Sequence, residues 1–290
     1  MRRTYSRSGR LIRQISPRHR VLLGVEEHVF KRSTQRIQCA SAFVAETLIR
    51  EHGVARDRIF LLPNAVDATR FGTPAALAAG RRLRAELDDR AEKIWLFPAS
   101  GWHRKGLSTL LQAFATIPDP GSRLWIAGRD DPARWRKMAT DLGIASRVRF
   151  LGERRDLENV YGAVDGMILP THYDAFANVT LEAAASQLPI ITTRFNGAAE
   201  WLDEKIITLE DSRDSLALAA AIRDLSSQER RRKLGAGAQK IAGRLDWAKH
   251  VAALNEEYAR IVRRRNPKHS CNKQAHDQPP EQPPEQRQEP

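Results

Sequence analysis

Gly166-Met167-Ile168-Leu169 runs into Pro170-Thr171-His172-Tyr173-Asp174-Ala175-Phe176-Ala177 and then Asn178-Val179-Thr180-Leu181-Glu182-Ala183. This reads as a strand, a loop and a helix. The strand is apolar on both faces instead of alternating, the pattern of a parallel sheet covered on both sides. Further β-rich runs are predicted at Lys93–Pro98, Arg123–Ala127, Arg147–Leu151, Pro189–Thr193 and Lys205–Leu209. Between them helices are predicted over 107–117, 132–142, 156–164, 178–187 and 196–203. Strand alternating with helix at this spacing builds βαβ units, so a doubly wound α/β domain is expected over 66–245.

The flanks read differently. Residues 1–65 hold a helix (20–32), a strand (Arg36–Ala40), a helix (42–52) and a strand (Ile59–Leu62). Two strands and two helices are too few for an independent α/β domain. The segment is therefore expected to be the tail end of a domain whose beginning is missing. It should expose apolar surface at Val21, Leu22, Leu23, Ile37 and Phe43. From 213 to 265 the pattern is helical, and 246–265 is a C-terminal helix with Trp247, Val251, Leu254, Tyr258 and Ile261 on one face. Residues 266–290, rich in Pro, Gln and Glu with a repeated Pro-Pro-Glu-Gln, are expected to be a disordered tail.

The chain has 48 Lys and Arg against 35 Asp and Glu, a net charge of +13 in 290 residues. That sign favours an anionic partner: a phosphorylated substrate, a membrane surface or nucleic acid. Nucleic acid is disfavoured, because no helix-turn-helix, zinc or RNP-type signature occurs and the arginines are dispersed. The two cysteines, Cys39 and Cys271, exclude a disulfide framework and a cysteine zinc site. No apolar run nears the ~20 residues of a membrane-spanning helix. Residues 1–20 carry seven arginines and no acid but lack the h-region of a secretory signal. A cytoplasmic location is expected, with peripheral contact at the inner face of the membrane allowed.

Two loops are placed to carry chemistry. Ser100-Gly101-Trp102-His103-Arg104-Lys105-Gly106 follows the first strand of the α/β domain and opens its first helix. Ligands sit beyond the carboxyl ends of such strands, and a helix N-terminus there offers N–H groups to an anion. Arg104 and Lys105 would add charge-assisted hydrogen bonds to phosphate, unless they are merely solvated cations beside a turn. In the second loop, Asp174 and Glu182 stand eight apart, one in the loop and one early in the helix. Such carboxylates accept from paired hydroxyls of ribose or sugar; the alternative is that they complement the helix dipole. Asn178 or Thr180 could instead cap the helix.

Together these segments resemble the retaining, nucleotide-sugar-dependent glycosyltransferases of family 4, which have the two-domain GT-B fold. The resemblance rests on Leu62-Pro63-Asn64-Ala65-Val66-Asp67 with Phe71, on Arg104-Lys105-Gly106 and on Leu124-Trp125-Ile126-Ala127-Gly128. It continues through Val148-Arg149-Phe150-Leu151-Gly152, Asp174-x7-Glu182 and Asn196-Gly197-Ala198-Ala199-Glu200. It covers roughly 20–262, and the subgroup it most resembles is the lipopolysaccharide-core glucosyltransferase I type.

The resemblance implies a C-terminal Rossmann-like domain with a parallel sheet, preceded by the end of a truncated N-terminal one. It implies a UDP-sugar donor and a glycan or lipid-linked acceptor, no cofactor and no metal. Arg104 and Lys105 would hold the donor diphosphate, with the Ser100-Gly101 turn beside it. Asp174 would meet the transferred sugar and act in catalysis, and backbone around Phe176, Ala177 and Asn178 would line the sugar. Glu182 would bind ribose, and the 153–157 loop with Arg154 and Arg155 would frame the base.

Three positions depart from the family pattern: Asp174 replaces a Glu, Ala177 stands where Gly is common, and Gln187 stands where Gly usually ends the helix. If Gln187 keeps the left-handed conformation, it costs on the order of 1 kcal/mol. Three readings of the chain follow. One is an enzyme completed by a partner chain that supplies the N-terminal domain. The second is a remnant that binds nucleotide sugar without turnover. The third is a basic protein that binds a membrane or nucleic acid.

Overall fold

A computed structural model describes residues 17–265. The basic segment before Pro17, Cys271 and the tail 266–290 lie outside the described residues.

The first segment forms helix α1 (Pro17–Glu27), strand β1 (Ile37–Cys39), helix α2 (Ala42–His52) and strand β2 (Ile59–Leu61). β1 and β2 pair in parallel, Ile37 opposite Ile59. Val21, Leu22 and Leu23 of α1 are exposed as the sequence suggests, and so is Val25. Ile37 and Phe43 are not: Ile37 is half-buried in the strand pair. The Phe43 ring packs on Tyr173 and Phe195, at 5.4 and 6.3 Å between centroids. Those partners lie far along the chain, so no local pattern signals them.

Helix α3 (Pro74–Glu86) was not expected. Its start is conventional: Thr73 Oγ1 accepts from the Ala76 N–H, and Pro74 occupies the first turn. Its Gly80 lies directly on Gly162.

The remaining strands are β3 (Lys93–Pro98), β4 (Ser122–Ala127), β5 (Val148–Gly152), β6 (Gly166–Leu169), β7 (Ile190–Thr193) and β8 (Ile207–Leu209). They build one parallel sheet in the order β5-β4-β3-β6-β7-β8. The expected α/β class is therefore present. Helices α4 (Leu107–Ala115), α5 (Ala133–Asp141), α6 (Leu157–Ala163) and α7 (Asn178–Ala185) connect the strands. α8 spans only Ala199–Leu202, shorter than expected, because the Asn196 side chain takes the Ala198 N–H and holds 196–198 as a turn. α9 (Ser215–Asp224) and α10 (Gln228–Ala242) follow.

The core fills both faces of the sheet. Ile94, Trp95, Leu96, Phe97, Leu124, Trp125 and Ile126 are essentially inaccessible. Each such side chain contributes roughly 1.5–3 kcal/mol on burial. The chain divides into two compact units, one up to His250 and one from Val251. Helix α11 (Trp247–Arg265) contains the helix face expected near the C-terminus, of which Trp247, Val251 and Tyr258 are exposed. No described helix is long and apolar enough to cross a membrane.

Candidate functional site

β3 and β6 lie side by side, Leu96 opposite Met167, although β4 and β5 separate them in the chain. From this pair the strand order runs outward in both directions, which makes it the topological switch point where doubly wound sheets bind ligands. The two loops singled out from the sequence leave the carboxyl ends of these two strands. They touch at Gly106, whose φ is +83° and where a Cβ would stand 2.0 Å from the Pro170 carbonyl oxygen. Only glycine satisfies both conditions.

Across that contact Lys105 Nζ donates to Asp174 Oδ2, and both side chains are buried. Arg104 Nη1 lies 3.6 Å from the same oxygen and donates to the Tyr173 carbonyl at 2.6 Å. The residues expected to hold a diphosphate and the one expected to meet a sugar thus form a single ion-paired group. Each charge compensates the other's desolvation.

The Ser100-Gly101 turn differs from expectation. The N–H groups of Gly101 and Trp102 donate to the Asp130 carboxylate at 2.6 and 3.2 Å, and Ser100 Oγ accepts from the Arg129 N–H at 3.1 Å. A protein carboxylate closes these amides. The positive charge that the loop offers an anion is on the side chains of Arg104 and Lys105.

α7 starts without a capping side chain. Asn178 Oδ1 accepts from Asn64 Nδ2 at 2.7 Å and Thr180 Oγ1 from Asn196 Nδ2 at 2.9 Å, so neither serves as the cap. The Phe176 N–H donates to Asp174 Oδ1 and the Ala177 N–H to Asn196 Oδ1, at 3.1 and 3.2 Å. Of the backbone expected to line a sugar, those two amides are therefore engaged internally. The N–H groups of Asn178 and Val179 have no partner among the described residues, and they point a helix N-terminus at the loop. Ala177 has φ −77°, a conformation open to any side chain, so glycine is not needed there.

Glu182 sits in the second turn of α7, half-buried, and accepts from the Tyr161 hydroxyl at 3.0 Å. Burial pushes its carboxyl above the usual range, with Tyr161 and Arg70 pulling the other way. Arg70 was not anticipated. Its guanidinium pairs with Glu158 at 2.7 Å and donates to the Arg155 carbonyl at 3.1 Å, tying the 153–157 loop in place. Nothing in its residue type distinguishes it from the other arginines. Arg155 itself is exposed. Arg154 bonds to Asp156 at 2.6 Å. It faces a cavity of about 810 Å³ beside β5 that none of the other candidate residues lines. Among the described residues no three His, Cys, Asp or Glu side chains group as metal ligands.

The site thus brings together two cations, Arg104 and Lys105, and two carboxylates, Asp174 and Glu182. Residues 92–228 match the family Glycosyl transferases group 1. The matched stretch contains the Lys105–Asp174 pair and Glu182. The chain is 31% identical over 232 residues to the D-inositol 3-phosphate glycosyltransferase of Xylanimonas cellulosilytica, covering 76% of this chain and 56% of that one. It is 30% identical over 114 residues to the lipopolysaccharide glucosyltransferase WaaG of Escherichia coli, covering 38% and 30%.

The fold is that of GT-B glycosyltransferases. A WaaG crystal structure superposes with a TM-score of 0.71 at 21% identity, over 80% of this chain and 65% of that one. The Anabaena protein HepE, solved in complex with UDP-glucose, superposes with a TM-score of 0.71 at 20% identity, over 84% and 69%. The chain spans little more than half the length of the inositol phosphate glycosyltransferase it matches.

Proposed function

We propose that this chain transfers a hexose from a nucleotide-diphosphate sugar, with UDP as the nucleotide, to a glycan or lipid-linked acceptor with retention at the anomeric carbon. The observation that carries the proposal is the Lys105–Asp174 pair at the switch point with Arg104 beside it. Two cations and a carboxylate stand where a diphosphate and sugar hydroxyls would exchange partners with them.

In this reading the diphosphate takes up hydrogen bonds from Arg104 and Lys105, beside the Ser100-Gly101 turn. Asp174 is freed to accept from the sugar hydroxyls, next to the backbone of Phe176, Ala177 and Asn178. Glu182 accepts from the ribose hydroxyls, and the loop carrying Arg154 and Arg155 borders the base. As the bond between the anomeric carbon and the phosphate oxygen breaks, its electron pair passes to that oxygen. Arg104, Lys105 and the open start of α7 stabilise the charge that develops. The acceptor hydroxyl bonds to the anomeric carbon on the face the nucleotide leaves, and its proton passes to the departing phosphate.

Calorimetric titration with UDP-glucose and UDP, beside Lys105→Ala and Glu182→Ala, tests this. Each substitution removes a charged hydrogen-bond partner, so binding should weaken at least ~10-fold. A well-folded wild-type chain that binds neither compound overturns the proposal.

A further inference from the structure

From Tyr173 to Ala177 each peptide of the loop that carries Asp174 has at least one group held. Arg104 takes the Tyr173 carbonyl, the Asp174 N–H donates to the Phe195 carbonyl at 2.8 Å, and the Asp174 carbonyl accepts from Gly197 at 3.0 Å. The Phe176 and Ala177 N–H groups are engaged as described. The Ala175 carbonyl accepts from Ser41 Oγ at 2.9 Å, from a residue 134 positions earlier.

Ser41 is fully buried and caps α2, its Oγ also accepting from the Val44 N–H at 3.3 Å. The other open amides of that first turn go to Glu200, whose carboxylate accepts from the N–H groups of Ala42 and Phe43. One helix start is thus satisfied jointly by its own cap and by a carboxylate from beyond β7. Trp201 Nε1 adds a bond to the Ala40 carbonyl at 3.1 Å. The fit leaves no slack: a Cβ on Gly197 would stand 2.1 Å from the Ala175 carbonyl oxygen and 2.3 Å from Ser41 Oγ.

We infer that Ser41 and Glu200 are positioning residues, a latch through which the start of α2 sets the Ala175 peptide and hence the sugar end of the site beside Asp174. The inference rests on the nucleotide-sugar reading above. Among the described residues neither bonds to Arg104, Lys105 or Glu182, the groups assigned to the diphosphate and the ribose. The latch therefore acts on the sugar and leaves the nucleotide contacts alone. α2 cannot shift against α8 without freeing the Ala175 carbonyl and the Glu200 carboxylate together. A ligand that moves the first segment would then be felt in the sugar pocket.

The test titrates wild type, Ser41→Ala, Glu200→Ala and Glu200→Gln with UDP, UDP-glucose, UDP-galactose and UDP-N-acetylglucosamine. Wild type is expected to bind one of the three sugars more tightly than UDP. In Ser41→Ala and Glu200→Ala that preference should fall about tenfold while UDP affinity stays within about twofold, the size expected for one lost hydrogen bond. Glu200→Gln keeps an oxygen for the Ala42 N–H and should retain most of the preference. A sugar preference that survives in both alanine variants overturns the latch, and so does a parallel loss of UDP affinity, which would mark general loosening. Wild type that binds UDP with no sugar preference also overturns it. Wild type that binds no nucleotide refutes the nucleotide-sugar reading itself.

Discussion

The loop after β3 and the loop after β6 meet at Gly106, yet they are built in different ways. The first closes its own amides on Asp130 and sends two long cations across the gap. The second carries one short carboxylate, and its backbone is fixed by Ser41, Phe195, Asn196 and Gly197 from elsewhere in the chain. One loop supplies charge and the other supplies geometry. A site assembled this way should respond differently to loss of charge and to loss of support.

The largest effect is expected where the two loops join. Lys105→Ala leaves the buried Asp174 with only the longer Arg104 contact and should cost roughly 3–5 kcal/mol in urea unfolding. Adding Asp174→Ala to it should recover part of that loss, because no buried lone charge remains. A single-variant loss below about 1 kcal/mol would be the value of an exposed pair and would break the comparison.

A smaller effect concerns the helix that follows the second loop. Binding a ribose hydroxyl needs Glu182 ionised, and burial raises its pKa. UDP-glucose affinity should therefore weaken as pH falls, starting above the range of an ordinary carboxylate. In Glu182→Gln that pH dependence should be absent. The fold responds with the opposite sign. A raised carboxyl pKa contributes stability that is complete below the unfolded value and is lost as pH rises through the folded one. Affinity that does not change with pH in wild type would remove Glu182 from the site.

The smallest effect lies at the far end of the same helix. Gln187 has φ +59°, the left-handed conformation foreseen from its place before Leu188-Pro189. Its amide reaches Gln239 Oε1 at 2.6 Å, an exposed contact of little worth. Gln187→Gly should stabilise the chain by about 1 kcal/mol, a rise of roughly 2–4 °C in Tm. Because this turn lies outside the loop geometry, UDP-glucose affinity should not change with it.

The basic composition shows how far a count can mislead. Arg58 donates to the carbonyls of Val29, Phe30 and Gln35, and Arg147 to those of Phe114, Ile117 and Asp119. Arg149 and Arg231 likewise hold Leu87, Leu225 and Ser226. These cations fasten helix ends and turns inside the fold, where a guanidinium can collect several carbonyls at once. The excess that suggested an anionic partner is partly structural. Arg104, Lys105 and Arg70 have the same composition signature and stand at the site.

What sequence alone determined here is what local periodicity encodes. Strands apolar on both faces, helices between them and the two loops at strand ends could all be read, because each depends on neighbours a few positions away. The helix at 74–86 was readable by the same rules, from Thr73 and Pro74. Tertiary structure alone decided that β3 lies against β6, that Lys105 pairs with Asp174 and that Asp130 closes the Gly101 amide. It also decided that Ser41 and Glu200 hold the same turn. Those side-chain contacts join residues 29, 69, 134 and 158 positions apart. No residue type announces such a partner, because the hydrogen bond exists only once the strand order has brought the two groups together.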